Sequence, residues 1–135
     1  MSILILEDDL FIALDLQAIV ESEGHVATVC GSVAEARRWL DNVEFALLDV
    51  DVRDGKSFEV ATTLRDRGIP FAFVTGSRRS EIPTHLAGAG FVAKPFLERA
   101  ILACLPEPAE VVSGRLAARL AAGGQPAPFW VPNAS

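Results

Sequence analysis

Residues 3–9 have the sequence ILILEDD, in which four apolar residues run directly into three acids. A short, unbroken apolar run of this kind is typical of a strand that is buried on both faces of a parallel sheet. Three further runs share the pattern and end in a polar residue: FALLD at 45–49, FAFVT at 71–75 and FVAK at 91–94. In each case the polar residue marks the carboxyl end of a predicted strand.

The spacing of these ends predicts how the strands are connected. The intervals from Asp8 to Asp49, then to Thr75 and then to Lys94 correspond to two, one and one strand–helix repeats of roughly 20–25 residues. The additional strand that the first interval requires is predicted at 25–30. We therefore expect an α/β fold with a doubly wound five-stranded parallel sheet in the order 2-1-3-4-5. The polar ends would share one edge of that sheet, where open α/β sheets bind ligands.

The segments between the strands predict helices, because apolar residues recur at helical spacing and glycines or capping residues punctuate them. Helices are predicted at residues 10–23, 32–40, 58–67 and 96–105. The segment 78–89 contains Pro83 and has glycines nearby, and it predicts only a short or irregular helix.

Composition limits the class of protein. With 135 residues, half of them hydrophobic and 22% charged, the chain is expected to form one globular domain. A net charge of −6 argues against binding of nucleic acid or of an anionic membrane surface. No apolar run approaches the ~20 residues that a membrane-spanning helix needs. Cys30 and Cys104 lie in apolar stretches, which predicts reduced core residues of a cytoplasmic protein.

The clustered acids predict either a cation site or a carboxyl group with a shifted pKa, since carboxylates held close together repel one another. Ligands that offer only oxygen favour Mg²⁺. A metal there would offset the charge of a phosphoryl group while the Asp49 carboxylate attacks phosphorus to form an acyl phosphate. Thr75 would hydrogen-bond one phosphoryl oxygen and Lys94 would pair with another. Taken singly, each residue has a structural alternative, such as a helix cap at Asp8 or Asp9, and only the combination favours this chemistry.

Four motifs together resemble the receiver domain of two-component response regulators. They are LILEDD at 4–9, LLDVD at 47–51, VTG at 74–76 and KPF at 94–96. The resemblance extends from residue 3 to about residue 105, and it implies a CheY-like, flavodoxin-like (βα)₅ domain over residues 1–105. The segment FVTGS at 73–77 is similar to a bacterial subgroup of receivers that is marked by Phe-Ala-Thr-Gly-Tyr.

The resemblance implies a role for each site residue. Asp49 would be the phosphoacceptor, charged by a histidine kinase or a histidine phosphotransfer protein. The Mg²⁺ ligands would be Glu7, Asp8 and Asp49, with a backbone carbonyl from Asp51. Thr75 and Phe91 would act as switch residues, and Lys94 would complete the catalytic set with Asp49 and Thr75. The protein would dephosphorylate itself and would not be a multiple-turnover enzyme.

Three positions depart from the family pattern. Gly76 stands where the family usually has alanine, Arg53 stands where a proline is common, and Phe91 has no hydroxyl group. None of these positions supplies a phosphorylation residue. The departures therefore leave the chemistry intact and alter the expected output mechanism.

Residues 106–135 differ in character from the rest and predict a C-terminal extension. A Pro-rich linker precedes a predicted short helix at 113–122, and a Gly-Gly pair and prolines then lead to Phe129-Trp130-Val131. Because exposed aromatic side chains gain nothing in water, we expect this tail to dock on its own domain or on a second copy. Nothing in the extension resembles an effector domain, so signalling is expected through protein contacts, competition for phosphoryl groups or a homodimer. The homodimer would use the tail or the last two strand–helix units.

Two other functions compete with this interpretation. The segment LDVDV at 48–52 also fits the Asp-x-Asp nucleophile motif of haloacid-dehalogenase-type phosphatases. That family begins with Asp-x-Asp and places its acid pair last, whereas here the acid pair comes first. The other alternative is a pseudo-receiver that acts as an interaction module without phosphorylation, and the presence of Asp49, Thr75 and Lys94 argues against it.

Overall fold

The computed structural model describes residues 1–106, which form a five-stranded parallel sheet with helices on both faces. The strands are β1 (Ser2–Leu6), β2 (Val26–Cys30), β3 (Phe45–Leu48), β4 (Phe71–Thr75) and β5 (Gly90–Ala93). The helices are α1 (Leu10–Ser22), α2 (Val33–Arg37), α3 (Phe58–Asp66) and α4 (Glu98–Cys104). The strand order is β2-β1-β3-β4-β5 and every neighbouring pair is parallel, which confirms the predicted topology.

The apolar runs form the core on both faces of the sheet. Leu4 and Leu6 of β1 face one hydrophobic cluster with α2 and α3, whereas Ile3 and Ile5 face a second cluster with α1 and α4. All four of these side chains are fully buried. Each such side chain contributes about 1.5–3 kcal/mol through removal from water. The alternation along β1 therefore holds a helical layer on each side and fixes the register of the sheet.

The ends of α1 follow from its flanking residues. The Asp9 carboxylate accepts hydrogen bonds from the backbone N–H groups of Phe11 at 3.0 Å and Ile12 at 3.2 Å, and so caps the helix. Gly24 adopts φ 85° directly after the helix, a conformation that costs glycine little. Asp9 therefore has the structural role that was considered for Asp8 or Asp9, that of a helix cap.

Helix α2 is shorter than predicted. It ends at Arg37, and a 3₁₀ helix follows at Leu40–Asn42. Leu40 and Val43 are buried in the cluster beneath α2, so the chain leaves the helix axis early to bring them to the sheet before β3 begins. The prediction of one helix through residue 40 was wrong in its end point. The burial of these two side chains depends on tertiary packing, which helical spacing in the sequence does not show.

The segment 78–89 contains two short 3₁₀ helices, Arg79–Glu81 and Thr84–Leu86, separated by Pro83. Proline lacks the N–H group that a continuing helix needs. The expected short or irregular helix is thus two single turns, and Leu86 anchors the second of them in the core. Residues 51–56 form a small antiparallel ribbon in which Asp51–Val52 pairs with Gly55–Lys56.

None of the helices within residues 1–106 has the length and apolar character to cross a membrane. The helix predicted at 113–122 and the docking of the aromatic tail lie outside the described residues.

Candidate functional site

The carboxyl ends of β1, β3, β4 and β5 meet at one edge of the sheet, as predicted. The backbone N–H of Asp49 donates to the Leu6 carbonyl at 2.8 Å, and the N–H of Lys94 donates to the Thr75 carbonyl at 2.9 Å. These bonds extend the strand pairing past the last strand residues and bring the four polar positions side by side. A cleft of about 400 Å³ opens at this edge and is lined by Asp49, Asp51, Thr75, Gly76, Ser77 and Glu81.

Three carboxylates and one ammonium group form the centre of the site. Glu7, Asp8 and Asp49 each place a carboxylate oxygen within 4.8 Å of the other two. The Lys94 Nζ donates hydrogen bonds to Glu7 Oε1 and, at 3.0 Å, to Asp49 Oδ2. Glu7 is only 3% exposed, whereas Asp8 is open to solvent. Lys94 balances one of three negative charges, so a divalent cation would balance the remainder.

Backbone hydrogen bonds fix the orientation of the two buried carboxylates. The Asp9 N–H donates to Glu7 Oε2 at 3.1 Å, and the Val50 N–H donates to Asp49 Oδ1 at 2.8 Å. Together with Lys94, these donors engage both oxygens of each carboxylate. The two groups are therefore held in place before any ligand arrives, which lowers the cost of organising the site.

The burial of the cluster changes the acidity of its members. Burial raises the pKa of Glu7, the charge of Asp49 adds to this effect, and the hydrogen bonds from Lys94 and Asp9 offset only part of it. Burial alone would lower the pKa of Lys94, but its hydrogen bonds to Glu7 and Asp49 outweigh that effect and the pKa is raised. Lys94 thus remains an ammonium ion at neutral pH.

The donor set fits a hard cation. All three clustered ligands are carboxylate oxygens, which suit Mg²⁺ better than softer metals. The Asp51 carboxylate is not part of this cluster among the described residues. It accepts a hydrogen bond from Lys56 Nζ and contacts Ser77 Oγ at 3.4 Å. The hydrogen bond from Lys56 lowers the pKa of Asp51, with a smaller contribution from Ser77.

Thr75 lies at the bottom of the cleft and is 1% exposed. Its Oγ1 accepts a hydrogen bond from the Ser77 N–H at 3.1 Å, a local turn contact that leaves its own proton available to a ligand in the cleft. A Cβ atom built on Gly76 would meet nothing within 4 Å. The space around Gly76 would therefore also accommodate the alanine that is usual in the family.

Phe91 packs against the core on the strand next to Thr75 and pairs in register with Phe73. The Arg79 guanidinium lies over its ring, 4.8 Å from the centroid. This cation–π contact links the 3₁₀ turn behind the cleft to the predicted switch aromatic.

Four residues at or near the cleft were not predicted from the sequence: Lys56, Ser77, Arg79 and Glu81. Lys56 and Ser77 contact Asp51, and Glu81 lines the cleft mouth. They lie in loops with no strong periodicity, where the only sequence signal is their proximity to Asp51 and Thr75 in the chain. That signal is too common among surface loops to single them out.

No protein-family model matches the chain, and no curated protein matches it. Solved structures do. A CheY-like response regulator receiver domain protein from Methanospirillum hungatei JF-1 is 25% identical with a TM-score of 0.66, and the match covers 90% of this chain and 98% of that one. SdrG from Sphingomonas melonis Fr1 is 30% identical with a TM-score of 0.68, over 77% of this chain and 92% of that one.

A third structure, with 19% identity, shows likeness of fold alone. It is the receiver domain of the sensor histidine kinase PA1611 from Pseudomonas aeruginosa PAO1, with a TM-score of 0.66 over 75% of this chain and 90% of that one. That protein holds a magnesium ion in its active site cleft. All three matches cover most of the described domain.

Proposed function

Because the chain belongs to the family of CheY-like response regulator receiver domains, we propose that it accepts a phosphoryl group on Asp49 and signals through protein contacts. The observation that carries this proposal is the buried cluster in which Lys94 bridges Glu7 and Asp49 at the edge of the sheet. A charged cluster removed from water is costly to maintain. It is explained if it serves chemistry at Asp49.

The proposed reaction is the transfer of a phosphoryl group from a phosphohistidine on a kinase or phosphotransfer protein. An Asp49 carboxylate oxygen forms a bond to phosphorus while the bond from phosphorus to the histidine nitrogen breaks. The nitrogen keeps the electron pair and takes up a proton. The product is an acyl phosphate on Asp49.

The neighbouring side chains would stabilise the transferred group. The Thr75 hydroxyl would donate to one phosphoryl oxygen, and the Lys94 ammonium, already 3.0 Å from Asp49 Oδ2, would pair with another. Glu7, Asp8 and Asp49 would hold Mg²⁺, which when bound neutralises charge on the phosphoryl oxygens. The acyl phosphate would be lost by self-catalysed hydrolysis, so the protein would act as a phosphoacceptor and not as a multiple-turnover enzyme.

The surface around the site supports a protein donor. Leu10, Phe11 and Leu14 of α1 and Leu97 before α4 are exposed, and Phe11 is 85% exposed. α1 and α4 pack against each other on the same face of the sheet, and Leu10 and Leu97 lie within three residues of Asp8 and Lys94 in the chain. Exposed apolar side chains that border a charged cleft are a common basis for protein docking. A donor that reaches Asp49 would cover them.

Two further expectations belong to the proposal. Cys30 and Cys104 are both free and buried, which supports a reducing compartment such as the cytoplasm. The homodimer inferred from the sequence remains a prediction. Light scattering with and without phosphorylation tests it, and monomer alone at high concentration would contradict it.

The decisive experiment is intact-mass measurement after incubation with acetyl phosphate and Mg²⁺. Wild type should gain one phosphoryl group that EDTA prevents and hydroxylamine removes, as expected of an acyl phosphate. Asp49→Asn should gain none. The matched control is Asp51→Asn, which changes an exposed carboxylate two residues away and should still gain the group.

Each other outcome assigns a different function. Absence of an adduct on wild type with every phosphodonor tested would favour the pseudo-receiver. Repeated turnover of a phosphomonoester that depends on Asp49 would favour a haloacid-dehalogenase-type phosphatase. An adduct of equal size on Asp49→Asn would place the acceptor elsewhere.

A further inference from the structure

The ribbon at residues 51–56 carries a guanidinium group next to the clustered carboxylates. Arg53 lies in the turn of this ribbon, between the paired segments Asp51–Val52 and Gly55–Lys56. Its side chain has no part in the proposed reaction. What its positive charge does therefore depends on where the guanidinium is held.

Gly31 separates this guanidinium from Asp8. The two loops that follow β1 and β2 run side by side, because the Glu7 N–H donates to the Cys30 carbonyl at 2.9 Å. A Cβ atom built on Gly31 would lie 2.8 Å from Arg53 Nη2 and 3.8 Å from the Asp8 Cα. The guanidinium and Asp8 are thus neighbours across Gly31, and glycine places no side chain between them.

Contacts with α2 keep Arg53 in this position. Arg53 Nη1 lies 3.7 Å from Glu35 Oε1. The next residue, Asp54, accepts hydrogen bonds from the N–H groups of Val33 at 2.7 Å and Ala34 at 3.1 Å, which anchors the ribbon to the start of the helix. The side chains of Arg53 and Glu35 are 67% and 47% exposed, so the ion pair itself stabilises the fold little.

The charge balance of the phosphoacceptor site indicates what Arg53 does there. Glu7, Asp8 and Asp49 form a cluster of three carboxylates, which Lys94 and one divalent cation would together neutralise. Arg53 adds a positive charge that this balance does not require. Because like charges repel, a guanidinium beside Asp8 opposes the binding of a cation to the cluster. Water and salt screen an exposed group, so the effect is modest and depends on ionic strength.

We propose that Arg53 sets the affinity of the phosphoacceptor site for Mg²⁺, by holding a positive charge beside Asp8 that weakens the binding of the metal. The inference rests on the Mg²⁺ site of the proposed function. Its consequence is that the occupancy of the site follows the concentration of free Mg²⁺ over a range in which a domain without Arg53 would already be saturated.

Isothermal titration calorimetry of the full-length chain with MgCl₂ at low ionic strength tests the proposal. Arg53→Gln should bind Mg²⁺ about threefold more tightly than wild type, the size expected for a single and a double charge roughly 10 Å apart in water. Arg53→Lys keeps the charge and should stay close to wild type. The matched control is Arg67→Gln, which changes the net charge equally at the end of α3, where Arg67 pairs with Asp41, and should bind as wild type does.

A second variant displaces the guanidinium without removing it. Gly31 has no positive φ, so its backbone accepts alanine, but the new Cβ atom would lie 2.8 Å from Arg53 Nη2 and the flexible side chain must move away. Gly31→Ala should therefore tighten Mg²⁺ binding in wild type and change nothing in Arg53→Gln. This double-mutant cycle tests the position of the charge independently of its presence.

The other outcomes separate failure of this inference from failure of the metal site. Equal affinity of wild type and Arg53→Gln, with binding that Asp8→Asn abolishes, leaves the metal site standing and overturns the role of Arg53. An equal gain in Arg67→Gln overturns it as well, because net charge alone would then be responsible. So does a difference that persists at high salt, which an exposed charge cannot produce. Absence of Mg²⁺ binding to wild type overturns the metal site and this inference together.

Discussion

Two carboxylate–ammonium clusters, one containing Asp49 and the other containing Asp51, differ in their exposure to water. In the buried cluster, the Lys94 side chain is 17% exposed, and its partners are Glu7 and Asp49. In the exposed cluster, Lys56 is 55% exposed and pairs with Asp51 on the outer ribbon. The buried ammonium pairs with two carboxylates and the exposed one with a single carboxylate, so the clusters differ in burial and in the number of partners.

The comparison shows how burial changes the contribution of an ion pair to stability. Exposed pairs stabilise proteins little, because water and salt screen them. Buried pairs are expensive to desolvate, and loss of one partner leaves an uncompensated charge. In the buried cluster, Lys94 and two backbone N–H groups together bind both oxygens of Glu7 and of Asp49.

The largest effect is expected from removal of the central ammonium. Lys94→Met should lower the free energy of unfolding by about 3 kcal/mol at pH 7, because Glu7 and Asp49 then face each other without a counter-charge. Acyl phosphate formation should fall below detection. Urea unfolding measures the first effect and intact mass the second. Addition of Glu7→Gln to Lys94→Met should restore most of the stability, and a double variant no more stable than Lys94→Met would contradict this account.

A smaller effect is expected at the bottom of the cleft. Thr75→Val keeps the shape of the side chain and removes the hydroxyl, so phosphorylation by acetyl phosphate should slow about tenfold, as expected for loss of one charge-assisted hydrogen bond. The rate of adduct formation measures this. Thr63→Val on α3, whose hydroxyl donates to the Glu59 carbonyl, is the control and should phosphorylate at the wild-type rate.

A pH-dependent effect is expected outside both clusters. The hydrogen bonds from the N–H groups of Val33 at 2.7 Å and Ala34 at 3.1 Å lower the pKa of Asp54, which caps α2 from across the fold. A lowered pKa means that this stabilisation is present above the unfolded value of 3.8 and is lost as the pH falls through the folded value.

Asp54→Asn should therefore reduce the free energy of unfolding at pH 7, with a difference from wild type that shrinks as the pH is lowered below 3.8. Asparagine keeps one acceptor oxygen, so the loss should be partial. Urea unfolding across the pH range measures it, with Asp15→Asn on the exposed face of α1 as the control. A difference that is independent of pH would mean that ionisation of Asp54 does not contribute.

The smallest effect is expected from the exposed pair. Lys56→Met should leave the midpoint of urea unfolding unchanged within error, because the pair with Asp51 is hydrated on most sides. It is the direct counterpart of Lys94→Met, with the same substitution in the same chemical type of pair. Equal destabilisation by the two variants would show that burial is not what separates the clusters.

Much of the fold could be predicted because its signals are local. Strands β1, β3 and β4 are buried on both faces, so each appears as an unbroken apolar run that ends at a polar residue. The carboxyl ends of parallel strands must meet at one edge, so the proximity of Glu7, Asp49 and Thr75 could be predicted from the sequence.

The rest depends on contacts between distant parts of the chain. Lys94 is predicted from the sequence to pair with a phosphoryl group, whereas its hydrogen bond to Glu7 could not be predicted. The cap of α2 by Asp54 reaches across about 20 residues, and the early end of α2 follows from the burial of Leu40 and Val43. The spacing of apolar residues in the sequence does not predict such contacts, since they form only when helices and strands pack together.

Glu7 and Lys94 are 87 residues apart in the sequence. A growing chain on the ribosome therefore presents the acids of β1 and β3 long before the ammonium of β5 exists to balance them. Such a long-range contact forms late, because it requires most of the sheet to be assembled. If Asp49 accepts a phosphoryl group as proposed, nascent and truncated chains that lack Lys94 would not compete with finished domains for donors in the cell.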